Sequence, residues 1–147
     1  MKAYLGIDGG GTRTRSLLVS ESGDILGRAV AGPSNVQQVS MDTLRGNLQE
    51  LLDQTFTDLP NNIEYISSCF GLAGAASAKN KDEIRDTLVS LTPVPSESPI
   101  LTSDAHIALI GALANRPGLM LIAGTGSICL GRDADGRTHR TGGWGPM

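Results

Sequence analysis

A glycine-rich turn between short apolar segments occurs twice in this chain, and it restricts the fold more than any other feature. The first copy reads Leu5-Gly6-Ile7-Asp8-Gly9-Gly10-Gly11-Thr12-Arg13-Thr14 and the second Leu121-Ile122-Ala123-Gly124-Thr125-Gly126-Ser127-Ile128. Each starts as an apolar strand and turns through glycines whose amides can approach an anion closely. It then leaves through Thr or Ser hydroxyls that donate hydrogen bonds. Two such loops facing each other suit a nucleotide triphosphate.

The likeness continues past the glycines. Ser16–Ser20 and Ile128–Gly131 follow as second strands, and Glu21-Ser22-Gly23-Asp24 and Asp133-Ala134-Asp135-Gly136 then supply hairpin turns leading into third extended segments. The pattern is an internal duplication with one copy per lobe.

Between the copies the chain alternates. Ile25 to Val30 completes an antiparallel meander, and Gly32-Pro33-Ser34-Asn35 closes it as a loop. Leu44, Leu48, Leu51 and Leu52 share one face of a helix from Met41 to Phe56, with Ser40 or Asp42 placed to cap it. Asp58-Leu59-Pro60-Asn61-Asn62 ends that helix, and Ile63 to Leu72 reads as a buried strand. A second helix carries Ile84, Leu88 and Leu91. Thr92-Pro93-Val94-Pro95 breaks it before a short strand, Ile100 to Ser103, and an apolar helix, Ala105 to Ala114. A meander followed by strand-helix units predicts an α/β fold, a mixed sheet with helices on both faces. The turn sequence Asn115-Arg116-Pro117-Gly118 places the boundary between an amino-terminal lobe, residues 1–115, and an incomplete second lobe, residues 116–147.

With 147 residues the chain is long enough for one ordinary domain and short for two. A net charge of -3 with scattered basic residues argues against nucleic acid as a partner. The amino terminus meets Asp8 before an apolar run of signal-peptide length can form, and no apolar stretch is long enough to span a bilayer. The expected location is therefore cytoplasmic, without a membrane partner. Cys69 and Cys129 lie in apolar runs, lack the spacing of a metal site, and read as reduced core thiols. His106 and His139 stand without obvious partners and are given no role.

Two common nucleotide motifs fail here. No Gly-Lys-Ser/Thr ends either cluster, which excludes a P-loop. The third glycine of a dinucleotide fingerprint is replaced by Thr14 in one copy and Cys129 in the other. What remains is a pair of strand-to-strand hairpin loops. Asp8-Gly9-Gly10-Gly11-Thr12 with Gly124-Thr125-Gly126-Ser127 resembles the sugar kinase, Hsp70 and actin superfamily. Within it the chain is most similar to the N-acetylglucosamine kinases and the BadF/BadG/BcrA/BcrD ATPases. The resemblance also rests on Gly32-Pro33-Ser34-Asn35, Gly71-Leu72-Ala73-Gly74, Thr102-Ser103-Asp104-Ala105 and Gly142-Gly143-Trp144-Gly145, in the family's order.

That resemblance implies a ribonuclease H-like, actin-like ATPase domain followed by the start of a second, similar lobe. It implies ATP and Mg2+ as cofactors and an amino sugar, N-acetylglucosamine or glucosamine, as the substrate phosphorylated at its 6-hydroxyl. Asp8 would hold magnesium, for a lone carboxylate suits an ion that keeps most of its waters, while local amides in the turn offer it an alternative role. Gly9, Gly10, Gly11, Thr12 and Arg13, with Gly124, Thr125, Gly126 and Ser127, would surround the phosphates. Arg13 stands where relatives usually have lysine, and its planar fork need not reach a phosphate in the same way.

Asp104 would be the catalytic base and a sugar ligand, although a carboxylate between a strand and a helix also reads as an N-cap. Asn35, Gly74 and Trp144 would contact the sugar. Members of the family continue into an acidic segment and an adenosine pocket, so the sequence is expected to be a fragment of the full kinase. An unfinished lobe predicts apolar surface for a missing segment, or a second copy in a homodimer, to cover. Two other readings share these loops: an ATPase activating a 2-hydroxyacyl-CoA dehydratase, and a non-catalytic sugar- or nucleotide-binding module.

Overall fold

In β1 (Lys2–Gly9) and β2 (Thr14–Ser20) buried and exposed residues alternate strictly through Ala3, Leu5 and Ile7 and through Thr14, Ser16 and Leu18, the pattern of a sheet with one face in a core. The computed structural model describes residues 1–59, 63–92, 98–123 and 127–143. The sequence expectations for Pro60-Asn61-Asn62, Pro93-Val94-Pro95, Gly124-Thr125-Gly126 and Trp144-Gly145 lie outside the described residues. Two compact units divide the chain, Met1–Asp104 and Ala105–Met147. The division falls after the first residue of the third helix, Asp104, whereas the boundary read from sequence lies beyond that helix.

The first unit is a five-stranded mixed sheet of order β3-β2-β1-β4-β5, completed by β3 (Ile25–Ala31), β4 (Glu64–Leu72) and β5 (Ile100–Thr102). β1, β2 and β3 form the antiparallel meander, and β4 and β5 run parallel to β1. The connections to β4 and β5 carry α1 (Met41–Thr55) and α2 (Lys81–Val89). Ser40 caps α1, its Oγ accepting the Thr43 N–H at 3.1 Å. Leu44, Leu48, Leu51 and Leu52 are all fully buried, in one core with Ile7, Leu18, Phe70, Leu72, Ile84 and Leu88. Each such leucine is worth about 1.5–3 kcal/mol relative to exposure.

Both helices of this unit thus pack on one sheet face. The opposite face presents Tyr4, Asp8, Arg15 and Leu17, all exposed.

The carboxyl end of α1 is fixed by polar contacts. Thr55 Oγ1 bonds the Leu51 carbonyl at 2.6 Å and the Ser16 hydroxyl, and Ser16 Oγ accepts the Ala29 N–H at 3.1 Å, so buried hydroxyls between helix and sheet are paired. A side chain at Gly27 would collide with the Thr55 carbonyl, which is why β3 carries a glycine there.

The second unit contains α3 from Ala105 to Leu113, Asp104 being that helix's first residue, and an antiparallel sheet of β6 (Gly118–Ala123), β7 (Ser127–Arg132) and β8 (Thr138–Gly142). Leu119 and Leu121 are largely exposed. The duplication is visible in hydrogen bonds. In the first meander Ser20 N–H donates to Asp24 and Gly23 N–H to Ser20; in the second Asp133 N–H donates to Arg137 and Gly136 N–H to Asp133. Gly23 and Gly136 both have φ above +80°, the left-handed conformation that such turns require. Among the described residues no helix is long and apolar enough to cross a membrane.

Candidate functional site

Sheet register brings the sequence motifs of the first unit to one edge. Asp8 is aligned with Gly71 on β4, and Gly71 with Thr102 on β5, so Asp8, the Gly71-Leu72-Ala73-Gly74 segment and Asp104 lie at or just beyond the carboxyl ends of three adjacent parallel strands. Loops beyond the carboxyl ends of parallel strands are where open α/β sheets bind ligands.

Hydrogen bonds tie these loops together. Gly10 N–H donates to the Arg13 carbonyl at 3.0 Å and closes the first glycine hairpin, leaving Gly11, Thr12 and Arg13 exposed at its tip. Ser34 N–H donates to Gly10, Ala73 N–H to Gly9, and Val36 N–H to Ala73. Buried Thr14 was not singled out from sequence, yet its hydroxyl is bonded to the Gly32 carbonyl at 2.6 Å and to Ser34 Oγ at 2.7 Å. Asn47 Nδ2 donates to the Pro33 carbonyl at 2.7 Å, fixing the same loop from α1.

Glycines stand where these segments touch. A Cβ on Gly9 would drive into Ser34 and lie 2.6 Å from Leu72 Cδ2. Gly74 has φ +81, and its Cβ would lie 2.9 Å from Asn35 Oδ1 and 2.8 Å from Gln37 Cγ. Asn35 therefore stands between the Gly74 turn and the glycine hairpin. Its Oδ1 accepts the Gln37 N–H at 3.0 Å, and Gln37 Nε2 donates to Ser77 Oγ at 2.8 Å, anchoring the loop to the 3-10 turn Ala75–Ser77.

Asp8 lies on the exposed face, with Arg15 Nη1 at 3.8 Å. The register of β1 and β2 puts Arg15 directly opposite it. Asp104 is the first residue of α3 and half-buried. Cys69 is half-buried on β4, and burial pushes its thiol above the usual range.

In the second unit Gly143 N–H donates to the Ser127 carbonyl at 2.7 Å, joining the Gly142-Gly143 motif to the exit of the second glycine loop. Arg140 holds the Gly143 carbonyl through Nη2 at 2.6 Å. Gly124, Thr125, Gly126 and Trp144 lie outside the described residues. His139, read from sequence as partnerless, pairs through Nε2 with Asp133 Oδ2 at 3.0 Å. That contact, first among its causes, holds the Asp133 carboxyl below its usual range.

A single exposed carboxylate fits a hard divalent cation that keeps its waters and phosphate oxygens, and among the described residues no group of three or more His, Cys, Asp or Glu forms a closed metal cage.

A family model described as the BadF/BadG/BcrA/BcrD ATPase family matches residues 5–147. An N-acetylmuramic acid/N-acetylglucosamine kinase of Clostridium acetobutylicum is 38% identical over 99% of this chain and 47% of its own length. An N-acetyl-D-glucosamine kinase of Dictyostelium discoideum is 32% identical over 98% of the chain and 48% of its own. A crystal structure from Chromobacterium violaceum, carrying a provisional N-acetylglucosamine kinase assignment, superimposes with a TM-score of 0.76 at 27% identity, covering 99% of this chain and 50% of that one. The chain spans about half the length of the curated relatives it matches. The α/β mixed-sheet fold expected for the actin-like ATPase class is the fold shared here.

Proposed function

The chain belongs to the BadF/BadG/BcrA/BcrD ATPase family, and from that membership we propose that its protein transfers the γ-phosphoryl group of ATP to the 6-hydroxyl of an amino sugar. The observation that carries this reading is the alignment of Asp8, Gly71 and Thr102 across β1, β4 and β5, with Asp104 two residues further on. Nucleotide-side and sugar-side candidates thereby share one sheet edge. The relatives named as amino-sugar kinases supply the substrate class.

Asp104 accepts the proton of the sugar 6-hydroxyl. The new bond forms between that oxygen and the γ-phosphorus as the bond from the γ-phosphorus to the bridging oxygen breaks, and ADP leaves. Asn35 orients the sugar, helped by Gly74, which admits Asn35 at close range, and by Trp144. Gly9 to Arg13 form one phosphate loop and Gly124 to Ser127 the other. Asp8 would hold Mg2+, which neutralises phosphate charge when bound with ATP. Positioning and charge neutralisation then supply most of the catalysis.

We take the chain to be the amino-terminal portion of such a kinase. The test is ADP release by the full-length protein with N-acetylglucosamine, glucosamine and glucose, with the phosphorylated carbon located by phosphorus-proton correlation. Sugar-dependent ADP release and a 6-phosphate are expected. ATP binding without turnover of any sugar overturns the reading and favours an activator ATPase or a sensor.

A further inference from the structure

Gln38 has no part in the roles assigned above, yet its side chain ends on the first glycine loop. A Cβ on Gly11 would stand 2.9 Å from Gln38 Oε1 and 4.0 Å from Asn35 Nδ2, so two carboxamides are gathered around one point on the exposed surface of that loop. The polarity of Asn35 is set by a hydrogen bond. Asn35 Oδ1 is engaged by the Gln37 N–H at 3.0 Å, which orients that amide and leaves Nδ2, a donor, as the end turned toward Gly11. Gln38 turns an acceptor, Oε1, to the same point.

The backbone keeps both groups there. Gln38 and Val39 N–H both donate to the Asn35 carbonyl, at 2.9 and 3.1 Å, so residues 35–39 form a turn that brings the two side chains to one side. Gly11 leaves the space between them clear, since any side chain there would meet Gln38 first.

A donor beside an acceptor, with neither charged, complements a ligand group that offers an acceptor beside a donor. A secondary amide is such a group. We infer that Gln38 is a specificity-determining residue that, together with Asn35, recognises the 2-acylamino group of the sugar. Asn35 Nδ2 donates to the acyl carbonyl and Gln38 Oε1 accepts the amide N–H. A sugar with no 2-substituent, such as 2-deoxyglucose, leaves both carboxamides without partners, and sites built to hydrogen-bond a group discriminate against analogues lacking it. The inference rests on the amino-sugar kinase reading and specifies how that site chooses its substrate.

The experiment compares kcat/KM for N-acetylglucosamine and 2-deoxyglucose, both uncharged, in the full-length protein and its Gln38→Ala and Gln38→Glu variants. Gln38→Ala is expected to lower the ratio of N-acetylglucosamine to 2-deoxyglucose about tenfold, the worth of one hydrogen bond in a partly exposed site. Gln38→Glu keeps the acceptor and is expected to keep the ratio, because any effect of its charge on the phosphates falls on both sugars alike. An unchanged ratio in Gln38→Ala, an equal fall for both sugars, or a ratio lost in Gln38→Glu as fully as in Gln38→Ala overturns the inference. Wild-type protein that phosphorylates neither sugar overturns the kinase reading instead, a result seen before any variant is made.

Discussion

Asp8 and Arg15 face each other across β1 and β2, Oδ2 and Nη1 3.8 Å apart, both side chains about half exposed. Such a pair is worth about 0–1 kcal/mol. Its electrostatic effect on a cation at Asp8 is repulsive, since the guanidinium and the ion compete for one carboxylate. Arg15→Met is therefore expected to leave the melting temperature nearly unchanged and to lower the Mg2+ concentration that gives half-maximal ATP turnover. A raised Mg2+ requirement would show that Arg15 supports the phosphates instead.

Asp104→Asn keeps the shape of the side chain but removes the proton acceptor. Phosphoryl transfer is expected to fall by about 10²–10⁴-fold, with ATP affinity held within a few-fold. Equilibrium ATP binding beside single-turnover kinetics separates the two. Retained turnover would assign Asp104 to the start of α3 alone.

Gly74 and Gly23 form a matched pair. Both have positive φ, but a Cβ on Gly23 meets nothing within 4 Å, whereas one on Gly74 meets Asn35 and Gln37. Gly23→Ala is expected to cost about 1 kcal/mol of backbone strain and leave KM for the sugar alone. Gly74→Ala is expected to cost at least as much and to raise that KM by displacing Asn35. Equal kinetics in the two variants would detach Asn35 from the sugar.

Leu48 is fully buried between α1 and the sheet. Leu48→Ala is expected to destabilise the protein by about 2–5 kcal/mol, while Leu119→Ala, at a position 77% exposed, is expected to change stability by less than about 0.5 kcal/mol. Denaturant titration of both measures the difference.

The Asp133–His139 pair gives the second sheet a pH dependence of known sign. The Asp133 carboxyl is depressed in the folded state, chiefly by its hydrogen bond to His139, so its contribution is present above the ordinary carboxylate range and is lost as pH falls through the lowered folded value. Amide protection in β7 and β8, relative to the intrinsic exchange rate at each pH, is expected to fall on acidification below about pH 4, and to do so less in His139→Ala.

Much of the fold was legible because it is periodic. The alternation of β1 and β2 and the Leu44, Leu48, Leu51 and Leu52 stripe follow from the spacing of apolar residues, and Ser40 caps α1 as its position suggested. Leu91 was read onto the face of the second helix, yet α2 ends at Val89 and Leu91 is buried beyond it, because Ser90 turns the chain and still leaves an apolar side chain in reach of the core.

The candidate site was legible as motifs but not as a place. That Asp8, Gly71 and Thr102 share a row depends on parallel pairing between strands far apart in sequence, which no local pattern encodes. Thr14, Gln37 and Gln38 went unremarked for the same reason. Each is an ordinary polar residue whose importance lies in which distant loop it touches.

Strict alternation along β1 makes the strand a molecular ruler. Gly9 must face inward, where Ser34 and Leu72 leave no room for a side chain, while Asp8 beside it faces outward. Inserting or deleting one residue between Lys2 and Ile7 would turn a carboxylate toward the core or a leucine out of it. Evolution can trade side chains freely along this strand, but natural relatives should show no gain or loss of single residues there, whereas the tip at Gly11 to Arg13 can tolerate a change in length.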